Sequence, residues 1–301
     1  MSYTPQSPEE AAFLASYRIE DFPRPSVAAD MAVFSVMEGE EADSRRKDPR
    51  QELKVLLVRR GSWPYRGLWA LPGGFVTPDE TVEETARREL FEETGVPDAH
   101  LVPFASFSAP DRDPRGRILS LAHLALIDAS RYRVHAGTDA WEADWFRIDV
   151  TELERMQEQT ETGADVRLRY RLVLFCARRD LTLSAELALT RSYSGARVST
   201  SCRITEQEGL AFDHAEILLR AFLELRSLAG GDSLIVFDLM PERFTLKMLQ
   251  MAYEAVLGRS LLTPNFRRKA AEWVEEADGA EMSGLHRPAR YFRRKPDVFY
   301  R

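Results

Sequence analysis

GFVTPDETVEETARRELFEETGV, residues 74–96, sets charged residues at helical spacing between two bracketing glycines. Thr77-Pro78-Asp79-Glu80 carries the chemistry of a helix start: a hydroxyl able to cap, a proline at the first helical position and acids in the first turn. A helix from about Pro78 to Thr94, closed by Gly95, is therefore expected. On it Glu89, Glu92 and Glu93 fall at i, i+3 and i+4, so three carboxylates rise from one face. Like charges so placed repel, and a hard divalent cation with oxygen ligands, Mg2+ or Mn2+, removes the repulsion. Arg88 can hold one carboxylate through paired donors. Val82, Ala86, Leu90 and Phe91 are placed to pack the helix against a sheet. The bland alternative is a solvated helix laced with i,i+4 ion pairs. Against it stands Leu71-Pro72-Gly73-Gly74-Phe75, whose adjacent glycines make a turn that a phosphate can approach closely.

Gly74, Glu80, Arg88, Glu89, Glu92, Glu93 and Gly95, with apolar Leu90 and Val96, occupy every fixed position of G-x5-E-x7-R-E-U-x-E-E-x-G-U. The segment resembles the Nudix box without a departure. That resemblance implies a Nudix α/β fold, a mixed α/β/α sandwich, and cleavage of a nucleoside diphosphate linked to another moiety. It implies a metal held by Glu89, Glu92, Glu93 and the Gly73 carbonyl, polarising the diphosphate and acidifying a bound water. Glu89 would orient or deprotonate that water, with Arg88 fixing its geometry.

Outward from the box, β-branched and apolar runs predict strands at Val27 to Met37, Leu53 to Arg59, Leu101 to Ser108, Ile118 to Ile127 and around Ala143 to Ile148. A charged loop, residues 39 to 52, separates the first two. Between two later strands lies SAPDRDPRGRILS, residues 108–120. It is either a well-bonded turn or a substrate loop, in which Arg112 or Arg115 meets phosphate and carboxylates such as Asp113 accept from ribose hydroxyls. This loop resembles that of Nudix proteins acting on ADP-ribose or related nucleotides. Glu142, within Asp139 to Phe146, is a candidate further metal ligand or base, while Trp145 reads as core packing.

Beyond Asp149 the character changes. Glu152 to Gly163 is polar and predicts a short helix and loop, after which residues 171–177, 181–189 and 196–204 alternate as a three-stranded antiparallel meander. From Ala211 a helical module is expected: Phe212 to Leu228 with an apolar stripe ended by Gly230-Gly231, then Leu246 to Leu257 between a Thr245 cap and a Gly258 stop. A short turn leads to Thr263-Pro264-Asn265-Phe266-Arg267-Arg268-Lys269, a helix-turn-helix candidate whose second helix opens with cations. RPARYFRRK, residues 287–295, would be a basic wing. The segment resembles the C-terminal winged helix of the NrtR family, Nudix-related regulators of NAD metabolism. The resemblance implies operator contacts from Asn265, Arg267, Arg268, Lys269 and Arg290. Regulators of that family often carry a decayed box; this chain keeps every position.

The expected division is thus a Nudix domain over 1–150, a β-meander over 151–210 and a winged helix over 211–301. With 301 residues the chain has room for them. Its net charge of −7 argues against whole-chain nucleic-acid binding, yet residues 259–301 hold ten Lys and Arg against six acids, a local patch that phosphate backbones attract. Cys176 and Cys202 make no metal pattern. No run of 18 apolar residues and no leader-like start occur, so a cytoplasmic protein with no membrane contact is expected. Two functions compete: a Mg2+-dependent hydrolase of ADP-ribose or a similar nucleotide, which the complete box puts first, and, as its alternative, a metabolite-sensing operator-binding regulator. A homodimer would suit either.

Overall fold

The computed structural model describes residues 3–39, 51–97, 99–132, 140–231, 234–281 and 289–298. A short exposed helix, α1 (Pro8–Ser16), precedes the long strand β1 (Ser26–Glu38), buried from Ala29 through Ser35. There follow β2 (Gln51–Arg60), the short strands β3 (Trp69–Ala70) and β4 (Gly73–Phe75), the helix α2 (Val82–Thr94), then β5 (His100–Phe107) and β6 (Ile118–Leu126). Four long strands come next: β7 (Ala140–Thr160), β8 (Gly163–Cys176), β9 (Leu181–Ser194) and β10 (Arg197–Glu208). They form one sheet in the order β10-β9-β8-β7-β2-β1-β6-β5, with β3 beside β2 and β4 beside β1. Only β1 and β6 run parallel among the described strands.

Period-two alternation along β1 divides the core between two layers. Ala29, Met31 and Val33 pack with Leu56, Ala86, Leu90 and Val96 beneath α2. Ala32 and Phe34 point to the opposite core, shared with Ile217, Leu218, Ala221, Phe222 and Leu225 of α3 (His214–Gly230). The mixed α/β/α sandwich is therefore present, and α3 is its second helical layer. This alters the expected domain plan, in which the helix after Ala211 belonged to a separate module.

Two more expectations change. The predicted helix and loop at Glu152 to Gly163 are instead strand: β7 runs unbroken to Thr160 and turns into β8. The boundary expected at 150 thus falls inside one strand. Residues 151–160 are all exposed, so no apolar alternation marks them. Their order comes from the ladder to β8 and cross-strand pairs such as Arg169 to Glu154 at 3.4 Å and Arg167 to Glu158 at 3.2 Å. The box helix also starts later than Pro78. Thr81 accepts from the Glu84 N–H at 3.2 Å, while Glu84 accepts from the Thr81 N–H at 2.7 Å, a reciprocal capping box. That leaves Thr77 to Glu80 as a loop.

The C-terminal part follows the expected pattern closely. After a 3-10 turn (Ile235–Leu239) come α4 (Leu246–Leu257), capped by Thr245 and closed by Gly258 at φ 67°, and α5 (Thr263–Ala270). A hairpin of β11 (Val274–Glu281) and β12 (Ala289–Arg294) completes a winged helix. Arg287 and Pro288 of the expected wing lie outside the described residues. Tyr253, Phe266 and Trp273 form its aromatic core. No described helix is long and apolar enough to cross a membrane.

Candidate functional site

A cavity of about 390 Å3 opens where β1, β4, α2, the 108–117 loop and the start of α3 meet. Its size suits a small-molecule ligand. Glu89 and Glu93 line it together with Asp30; Glu92 does not. Arg88 donates Nε and Nη2 to the two Glu80 oxygens at 2.7 and 3.0 Å and shares Nη1 between Glu89 at 2.6 Å and Glu92 at 3.2 Å. Arg88 thereby ties the exposed Glu92 to the rim. The same pairing holds the Glu80 carboxyl down to about 2.

Glu93 accepts from the Gly73 N–H at 2.9 Å, so the glycine turn meets the acidic cluster through its amide. Burial pushes the Glu93 carboxyl up to about 8, and burial also raises Glu89. Gly74 has no side chain for a steric reason: a Cβ there would overlap the Glu89 carboxylate. Among the described residues no three His, Cys, Asp or Glu side chains converge as a metal set. Two part-buried carboxylates that resist ionisation are nevertheless what a hard cation stabilises, and backbone oxygen can complete such a set. The donors fit Mg2+ or Mn2+: Glu89 and Glu93 could hold such an ion, and Glu92 is set apart from them.

The 108–117 loop is both a bonded turn and a cavity wall. Arg112 is buried, and its Nε and Nη2 donate to Asp213 at 2.8 and 2.7 Å, with Asp30 at 3.5 Å. Its fork is satisfied by protein, so it braces the loop against α3 rather than presenting itself as the phosphate donor the sequence suggested. Asp113 likewise accepts from Arg115, Nε at 3.0 Å and Nη2 at 2.7 Å, so it orients Arg115 instead of facing a ribose. Arg115 reaches the cavity mouth over the Phe75 ring, 4.9 Å from its centroid.

Glu142 does not reach the cavity. It lies on β7 beside Arg179 at 2.8 Å and Arg59 at 3.4 Å, which removes it as metal ligand or base in this arrangement. Sequence reasoning missed Asp30, Arg60, Phe212 and His214, all of which line the cavity. Asp30 had a signal, a lone acid inside VAADMAVF. His214 had none: its Nδ1 accepts from the Leu71 N–H at 2.8 Å across 143 residues of chain, and burial lowers its pKa.

In the winged helix, Asn265, Arg267, Arg268 and Lys269 are exposed on α5, while Phe266 and Ala270 turn into the core. Lys269 sits over Trp273, 5.2 Å from the ring centroid. Arg290, on β12, is exposed and pairs with Glu276 at 2.9 Å.

Residues 45–165 match the NUDIX domain family, and residues 236–294 match the NrtR DNA-binding winged helix domain. A relative from Acinetobacter baylyi, an ADPR responsive transcriptional repressor NtrR, is 31% identical over 291 residues, spanning 94% of this chain and 88% of its own. An ADP-ribose pyrophosphatase from Methanocaldococcus jannaschii is 43% identical over 96 residues, 32% of this chain and 56% of that protein. The solved MutT/nudix family protein of Enterococcus faecalis superposes with a TM-score of 0.66 at 27% identity, over 95% of this chain and 93% of that one. Shewanella oneidensis NrtR complexed with a 27mer DNA shares the fold, with a TM-score of 0.59 at 24% identity over 90% and 94% of the two chains. With a complete box on the sandwich and a matching winged helix behind it, this chain belongs to the NrtR family of Nudix-related transcriptional regulators.

Proposed function

We propose that the chain is an ADP-ribose-responsive, DNA-binding regulator whose Nudix cavity takes the effector and whose winged helix takes the operator. The observation that carries this reading is the likeness to the A. baylyi repressor, which runs through both parts of the chain rather than through the Nudix part alone. It reverses the order suggested by the intact box, which put hydrolysis first. α5 would enter the major groove, with Asn265, Arg267, Arg268 and Lys269 on its exposed face and Arg290 on the wing. A symmetric dimer would match a palindromic site.

Hydrolysis of the same ligand is the second reading. It is favoured by the complete box, by Glu89 and Glu93 in the cavity, and by the likeness to the archaeal pyrophosphatase. A divalent metal, when bound, supplies charge neutralisation of the diphosphate and a more acidic water. Glu89 and Glu93 would hold it, Arg88 would keep Glu89 in place, and Arg115 would face the phosphates at the mouth.

One experiment separates the two. DNA from the protein's own promoter region is titrated with the protein at low salt, with and without ADP-ribose, while a nucleotide panel with Mg2+ is scored for diphosphate cleavage. Retardation relieved by ADP-ribose without turnover is expected of a regulator alone, and relief with turnover of both activities. Absence of any retardation overturns the regulator reading.

A further inference from the structure

Phe212 lies in the stretch that neither family match covers, yet its ring lines the Nudix cavity. Its backbone has φ 52°, a left-handed conformation that bulky L-residues seldom adopt. Tyr65 does the same at φ 60°, and the two rings meet edge to face with centroids 4.6 Å apart. Two strained aromatic residues braced against each other at a cavity mouth point to a functional constraint on where the Phe212 ring stands.

That ring carries two cations. The Arg60 guanidinium carbon is 4.8 Å from its centroid and that of Arg115 is 5.5 Å. Each arginine is steered by further bonds: Arg60 Nε donates to the Pro64 carbonyl at 2.8 Å, and Arg115 is held by Asp113. Two guanidiniums at one ring repel, and Arg60 is accordingly less basic than usual through burial first and Arg115 second. Glu93, Asp113 and Asp30 act on Arg60 in the opposite sense, and Asp30, Glu89 and Glu93 line the same cavity. The paired anionic groups of a ligand would meet the basic end, and a cation bound with it would meet the acidic one.

We propose that Phe212 is a positioning residue for a diphosphate clamp: its ring holds Arg60 and Arg115 at the cavity mouth, where together they take the diphosphate of a nucleoside diphosphate derivative. This rests on the cavity being the nucleotide site, and it adds a contribution from the segment that links the Nudix and winged-helix parts. Selectivity for diphosphates over monophosphates then arises outside the Nudix box.

The test is calorimetric titration of the full chain at fixed Mg2+ with inorganic pyrophosphate, ADP-ribose and AMP. Phe212→Leu is expected to weaken pyrophosphate and ADP-ribose about tenfold, the scale of a lost cation–π anchor, with AMP nearly unchanged. Phe212→Tyr should restore both, and Arg60→Gln and Arg115→Gln should reproduce the loss without altering the strained residue, which covers the case that Phe212→Leu misfolds. Equal weakening of AMP and ADP-ribose with pyrophosphate untouched would make Phe212 a base-stacking platform and overturn the clamp. Failure of the unaltered protein to bind pyrophosphate overturns it too. Pyrophosphate binding without ADP-ribose binding leaves the clamp standing and removes ADP-ribose as the effector.

Discussion

Glu92 and Glu93 are adjacent and chemically identical, yet their surroundings give them different work. Glu93 faces the cavity beside Glu89, whereas Glu92 is exposed and bound to Arg88. Glu93→Gln is therefore expected to abolish Mg2+-dependent stabilisation and any diphosphate cleavage, while Glu92→Gln reduces them only severalfold. Thermal melts with and without Mg2+, together with phosphate-release assays, compare the two; equal losses would contradict the placement. Glu93 also dictates a pH dependence in metal-free protein. Its proton leaves near the ordinary glutamate value of 4.5 in the unfolded chain but at about 8 in the folded one, where burial disfavours the charge. Between those values the folded state binds more protons, so this contribution to stability is complete below pH 4.5 and is lost as pH rises through about 8. Melting temperature in EDTA should fall over that window, and Glu93→Gln should flatten the fall.

At the scale of elements, helix ends explain both what sequence reading located and what it misplaced. Thr245 and Gly258 bracket α4 as expected, because a capping hydroxyl and a left-handed glycine act locally. Gly258→Ala must hold an L-residue at φ 67° and would push the Arg226 guanidinium away, which now donates Nε to the Val256 carbonyl at 3.0 Å. A loss of about 1–2 kcal/mol is expected, measured as a lower urea midpoint with unchanged m-value. At α2, by contrast, the start expected at Thr77-Pro78 falls instead at Thr81, because Glu84 completes its capping box. Glu80, left in the loop, then serves as the paired acceptor for Arg88. The β7 extension was illegible for a different reason. Its side chains are exposed and polar, so its strand state exists only through the partner β8.

Across the whole molecule, α3 joins the two functions in space. Its first turn puts His214 in the cavity wall, and near its other end Arg226 binds the end of α4 in the winged helix. Operator binding itself should depend on the exposed cations of α5. Arg267→Ala with Arg268→Ala is expected to weaken DNA binding at every sequence tested and to reduce the slope of log K against log salt by about 2, one unit per lost phosphate contact. Fluorescence anisotropy across a salt series measures this; an unchanged slope would remove α5 from the interface.

The sequence by itself determined the family and most of the elements: the box, the acidic face of α2, the apolar strands, the capped helix α4 and the cationic helix α5. These signals are local, carried by spacing within a turn or a strand. Only the tertiary structure decided which of those residues share a cavity. It withdrew Glu142 and Glu92, used Arg112 and Asp113 as braces, and brought Asp30, Arg60, Phe212 and His214 to Glu89 and Glu93. Those meetings join residues up to 184 positions apart, from Asp30 to His214. Sheet pairing and the docking of α3 set them, and neither leaves a mark in the local order of residues.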